Sequence, residues 1–231
     1  MSAQTAALYP INLDLRGRLC VVVGGGAVAE RKVRGLLAAG ATVRVISPEA
    51  TAALQQLAQN DRITWLAQDF AQEDLAEAFL VFAATASAEV QEAVQSAVRQ
   101  MDCLVNRADA PEQCDFHVPA TLRRGDLLLS VSTSGTSPAL AAALKARLER
   151  EIGDEYAAAA RLLALIRPRL LELPLPGPEK KMLFQKLLDS DIVQWIRDDR
   201  RELVNAHVQE LFGHLLPVGH LLDAFWNDRN P

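Results

Sequence analysis

The chain has 231 residues, half of them hydrophobic, with 24 basic against 29 acidic side chains and a formal net charge of -5. That length carries one large domain or two modest ones with a real core, and the ordinary charged fraction excludes a disordered chain. The acidic balance, with no basic run longer than two residues, argues against a nucleic-acid partner, and no apolar segment approaches the length of a membrane span.

Residues 11–18 lead into LCVVV at 19–23, a run that reads as a strand buried on both faces. Gly24, Gly25 and Gly26 follow, and apolar positions at Val28, Val33, Leu36 and Leu37 then mark a helix. The spacing Gly24-x-Gly26-x-x-Ala29 fits the dinucleotide fingerprint. Gly24 allows the tight turn, Gly26 lets a pyrophosphate approach the backbone, and Ala29 lets helix and strand pack closely. The helix N-terminus, with Ala27 and Val28, presents free amides and a partial positive charge to the phosphates. Gly40 ends the helix and TVRVI at 42–46 is a second strand, so the helix is long enough for a right-handed crossover. Ser47, Pro48 and Glu49 close that strand, where dinucleotide folds place a carboxylate for the ribose hydroxyls. Glu49 is the carboxylate at hand, and no arginine there asks for a 2′-phosphate.

The alternation continues with a helix at 50–59, a strand at 63–66, a helical turn at 73–78, a strand at 79–83, a helix at 88–101 and a strand at 103–106. This grammar predicts a Rossmann-like, doubly wound parallel sheet with its ligand crevice at the carboxyl ends of the strands. Residues 24–28, 47–49, Thr85 and 106–109 are expected to face that crevice. The candidate cofactor-binding residues are therefore Gly24, Gly25, Gly26, Ala27, Val28, Ser47, Pro48, Glu49, Thr85 and Asn106.

From Pro111 the pattern changes. Runs at 116–122 and 127–133 read as strands joined through Arg123-Arg124-Gly125-Asp126, and such a hairpin needs further partners, a second subunit among them. The polar loop Ser132-Thr133-Ser134-Gly135-Thr136-Ser137 opens a long helix with Ser137 at the N-cap and Pro138 at N1. Its hydroxyls and amides either cap the helix and nothing more or also hold an anionic ligand; the residues alone leave the two readings level. Residues 152–231 read as helical, with Pro168 interrupting 162–173, a rigid connector at 174–178, and short amphipathic pieces near 182–188, 192–196, 203–212 and 221–226. His207, His214 and His220 lack acidic or thiol partners at ligand spacing, so no metal site is expected of them. Cys20, Cys103 and Cys114 are odd in number and share no C-x-x-C spacing. Cys20 and Cys103, in apolar strand-like runs, read as buried thiols, a reducing cytoplasm fits best, and the N-terminus shows no charged n-region and h-region of a leader.

Four ordered blocks, VVVGGGAVAERKVRGLLAAGATVRVISPE, FLVFAAT, VNRADAPEQCDFHVPA and RRGDLLLSVSTSGTSPALA, together resemble the precorrin-2 dehydrogenase family of siroheme biosynthesis over roughly residues 8–150. The resemblance implies an NAD-binding domain (1–114), a dimerisation and substrate region (115–150) and a helical C-terminal domain (151–231). It implies NAD-dependent oxidation of precorrin-2 to sirohydrochlorin, with Fe2+ insertion in some members, by a homodimer. It makes Asp109, the aspartate of the N-x-x-D-x-P block, the catalytic carboxylate. The hydroxyl loop supplies Ser132, Thr133, Ser134, Thr136 and Ser137 as the candidate substrate-binding set, to which the resemblance adds His117. Arg107 departs from the usually apolar residue of that block. An NAD-binding sensor without catalysis, or mainly a chelatase, stays open beside this reading.

Overall fold

The computed structural model describes residues 8–107 and 110–227, and the chain divides between Val118 and Pro119 into two compact units. The first unit holds a five-stranded, wholly parallel sheet: β1 (Leu19–Val23), β2 (Thr42–Ile46), β3 (Thr64–Leu66), β4 (Leu80–Ala83) and β5 (Leu104–Arg107), in the order β3-β2-β1-β4-β5. Helices α1 (Ala27–Ala38), α2 (Ala52–Gln59) and α3 (Ala88–Val98) connect them, with a 3-10 turn at Gln72–Leu75. The strand order reverses beside β1, so β1 and β4 part their connections and leave a crevice at their carboxyl ends.

Period-two alternation explains why β1 is apolar throughout. Cys20 and Val22 pack with Ala29, Val33, Leu36, Leu54 and Phe82 on one face of the sheet. Val21 and Val23 pack with Ile46, Val81, Val94, Val98 and Val105 on the other. Fully burying each such side chain is worth about 1.5–3 kcal/mol, which anchors the sheet whose ends carry the site.

The second unit contains an antiparallel hairpin, β6 (Ala120–Arg124) and β7 (Leu127–Val131), and α4 (Pro138–Glu151). Five helices complete it: α5 (Asp154–Glu172), α6 (Gly177–Leu188), α7 (Ile192–Arg197), α8 (Arg201–Phe212) and α9 (Val218–Asn227). Leu162, Ile166, Leu170, Ile196, Val208, Phe212 and Phe225 form its core. No helix among the described residues is long and apolar enough to cross a membrane.

Two expectations are corrected. The strand expected from 116 begins only at Ala120, because Phe116 packs edge-on against Phe82 at 5.4 Å and belongs to the core of the first unit. Pro168 does not interrupt its helix, since α5 runs through it to Glu172. Pro168 and Ala164, whose carbonyl loses its partner, both lie on the exposed face, where water can serve that carbonyl, while Leu162, Ile166 and Leu170 hold the other face in the core.

Candidate active site

The carboxyl ends of β1, β2 and β4 enclose a cleft of about 700 Å³ lined by Gly24, Gly25, Gly26, Ala27, Val28, Ser47, Glu49, Ala50, Thr51, Ala84, Thr85 and Ala86. Each glycine does something different. Gly24 turns the chain out of β1 at φ +124°, a conformation that L side chains rarely adopt, and a Cβ there would strike the Ala84 carbonyl. Gly25 lies against the loop after β2: a Cβ would collide with the Glu49 carbonyl, and the Gly25 carbonyl accepts the Thr51 amide at 2.9 Å. Gly26 is the N-cap of α1, and the direction its Cβ would take is open for 4 Å. The first amides of α1 have no side-chain cap, and with the open Cβ direction at Gly26 the arrangement fits a pyrophosphate. Ala29 is wholly buried against the sheet.

The rim is fixed by a second set of bonds. Thr51 caps α2 by accepting the Leu54 amide, and its hydroxyl donates to Glu30 Oε2 at 2.9 Å. The Arg34 guanidinium, and then that hydroxyl, hold the Glu30 carboxyl below its usual range. Thr85, on the opposite rim, accepts the Ser87 amide through its hydroxyl and the Gln91 side-chain amide through its carbonyl. Pro48 is exposed beside the cleft between its neighbours Ser47 and Glu49, and is not one of the lining residues.

Asn106 is placed differently from these. It is buried, its Nδ2 donates to the Phe116 carbonyl at 2.9 Å, and its Oδ1 accepts from Lys32 Nζ at 3.4 Å. Arg107 is only 5 % exposed, and its guanidinium donates to Glu92 at 2.8 Å and Gln113 at 3.0 Å. An arginine at this position thus ties the end of β5 to α3 and to the segment that follows. Cys114 Sγ accepts the Arg107 amide at 3.1 Å; burial pushes its thiol up, and it lies 3.4 Å from the Arg107 and Ala110 carbonyls. Asp109, the expected catalytic carboxylate, lies outside the described residues.

Asp115 has a structural duty that its sequence position does not reveal. Its carboxylate accepts the amide of Val105, which is 1 % exposed, at 2.8 Å, and its own amide donates to the Val105 carbonyl at 3.0 Å. Asp115→Ala strands a buried N–H and is expected to lower stability by about 1–3 kcal/mol. A chemical-denaturation midpoint equal to that of the parent chain would contradict this clamp.

The remaining candidates lie elsewhere. Ser132 Oγ accepts the Ser134 amide, Thr133 Oγ1 accepts the Ser137 amide at 3.0 Å, and Ser137 Oγ caps α4 through the Leu140 amide. Ser134 adopts φ +52° and, with Thr136, is exposed. This loop belongs to the second unit, whereas His117 is half-buried at the end of the first. Of the basic residues of the second unit, Arg124 reaches the Ile152 carbonyl and Asp154, Lys145 pairs with Glu149, and Arg147 pairs with Glu151.

A glycine-lined turn at the switch point of a parallel sheet, opening onto an uncapped helix N-terminus, defines a dinucleotide-binding protein. Comparison with known proteins refines that class. Residues 11–120 match the NAD(P)-binding family model, and residues 124–151 match the model for the central part of sirohaem biosynthesis proteins. The chain is 37% identical over 187 residues to the siroheme synthase of Nitrosococcus oceani, covering 81% of this chain and 40% of that one. It is also 37% identical over 202 residues to the siroheme synthase of Methylobacillus flagellatus, covering 87% of this chain and 43% of that one. It therefore spans about two fifths of the length of these curated relatives. The solved structure of SirC, a precorrin-2 dehydrogenase, superposes with a TM-score of 0.72 at 27% identity, over 88% of this chain and 98% of that one. The likeness to siroheme-biosynthesis proteins thus spans both units of the chain.

Proposed function

We propose that the protein oxidises precorrin-2 to sirohydrochlorin with NAD as hydride acceptor. The observation that carries this reading is the open Gly26 position at the α1 N-terminus in a chain that continues into the sirohaem central module. Gly24, Gly25, Gly26, Ala27 and Val28 would hold the pyrophosphate, with Ser47 and Glu49 beside the adenosine ribose and Thr85 across the cleft. The described lining residues include the Glu49 carboxylate and no arginine or lysine, which supports NAD over NADP. Bound NAD supplies the hydride acceptor. Asp109 serves as the proton acceptor as hydride leaves the macrocycle, and the 132–137 loop contributes hydroxyls to the substrate. Three free cysteines support a reducing, cytoplasmic setting. Anaerobic precorrin-2 mixed with the protein and NAD should convert to the sirohydrochlorin spectrum with stoichiometric NADH, and adding Fe2+ then tests metal insertion. An unchanged spectrum would defeat the dehydrogenase reading and favour a binding role.

The protein is proposed to work as a homodimer. The two-stranded sheet β6–β7 leaves its edges free for pairing, and Leu140 and Leu144 of α4 are 52% and 41% exposed. Sedimentation at micromolar concentration is expected to give twice the 25.2 kDa chain mass, and a purely monomeric boundary would refute the dimer.

A further inference from the structure

We propose that Lys32 is the cationic contact for a carboxylate of the tetrapyrrole, an inference that rests on the function proposed above. Lys32 is half-buried on α1, its Nζ 5.0 Å from the centre of the Phe82 ring and 3.4 Å from Asn106 Oδ1. No carboxylate of the described residues lies within ion-pair distance of it. Burial first, and then the neighbouring Arg31, disfavour its charged form. An ammonium held partly out of water without an anion is costly, and the long contact to a neutral amide oxygen does not require a full charge. The cation is therefore more than Asn106 needs.

Its position points to a ligand. Lys32 stands four residues beyond Val28, which lines the cleft, so the two share a face of α1 one turn apart. Phe82 and Asn106 are the third residues of β4 and β5, and both lie toward the carboxyl ends of their strands. The charge thus sits beyond the pyrophosphate cradle, on the β4–β5 side where the reacting end of a dinucleotide and its substrate meet. Phe82 and Phe116, edge to face, form an apolar wall beside it, and a charge in such surroundings acts more strongly than one in open water. By contrast Arg107, Arg124, Lys145 and Arg147 are already bonded to carboxylates of the chain. The anion could come from a tetrapyrrole carboxylate or a dinucleotide phosphate, and the offset of one helical turn favours the carboxylate.

The test titrates sirohydrochlorin and, separately, NAD into the full chain and into Lys32→Gln, Lys32→Met and Lys32→Arg variants. Lys32→Gln keeps a neutral donor for Asn106 Oδ1 and so isolates the charge, while Lys32→Met removes both. Sirohydrochlorin binding is expected to weaken roughly 10- to 100-fold in the Gln and Met variants, the range of a charge-assisted hydrogen bond. Lys32→Arg should recover most of it, and NAD affinity should be unchanged throughout. Sirohydrochlorin affinity preserved in Lys32→Gln overturns the proposal, as does an equal loss of NAD affinity, which would assign the cation to the dinucleotide. A parent chain that oxidises precorrin-2 while the Gln variant binds normally refutes this inference alone. A parent chain that neither oxidises precorrin-2 nor binds sirohydrochlorin refutes the functional reading and this one with it.

Discussion

Gly25→Ala is expected to damage the protein through its fold, and Gly26→Ala through its cofactor, although the two glycines are neighbours. A methyl on Gly25 would overlap the Glu49 carbonyl and crowd the Ala50 Cα at 2.9 Å, both of them backbone that cannot swing aside. Relief requires the loop after β2 to retreat, which breaks the Thr51 amide bond to Gly25 and opens the rim of the cleft. Overpacking of this kind costs about 1–3 kcal/mol. Gly26 has φ -84° and nothing within 4 Å of its would-be Cβ, so alanine there leaves the free protein intact. The same methyl would fill the space a pyrophosphate needs, and NAD affinity should fall by roughly 100-fold or more, as when a close backbone approach is blocked. Thermal melting and NAD titration on both variants separate the two effects. Parent-like NAD binding by Gly26→Ala would mean that the pyrophosphate lies elsewhere.

Asp109→Ala should reduce precorrin-2 oxidation by roughly 10²–10⁴-fold, the usual weight of a positioned proton acceptor. Melting temperature and NAD affinity should stay put. On either side of it, Arg107 bonds to Glu92, Gln113 and Cys114, and the Ala110 carbonyl accepts the Gln113 amide at 3.0 Å. Asp115→Ala is a useful companion because its expected loss is of stability rather than of the chemical step. A chain that oxidises precorrin-2 at the parent rate without the Asp109 carboxylate would reduce that residue to a turn former.

Where local rules decide, the sequence was legible. Short apolar runs bounded by turn residues place all five strands of the sheet, and the glycine spacing finds the cradle because turn geometry and helix termini depend on a few adjacent residues. Pro168 shows where the same local rule fails: three buried residues on one helix face outweigh a single missing amide on the other. The work at the β5 end is illegible for a different reason. Nothing local marks Lys32 or Asp115, and Arg107 shows only as a departure from its block; their roles arise when distant segments meet at Asn106, Glu92 and Val105. Gly25 is similar, since the fingerprint treats its position as free while the Glu49 carbonyl presses on it from another loop.

The bond from the Thr51 hydroxyl to Glu30 and the Thr51 amide bond to Gly25 have a kinetic meaning. They tie the loop after β2 to the glycine turn and to α1 before any dinucleotide arrives. A preformed socket demands little ordering on entry, so association should be quick and free of a closing step. In the dehydrogenase proposed above, oxidised and reduced cofactor would exchange at every turnover, and with entry unimpeded departure of the reduced form would set the pace of that exchange.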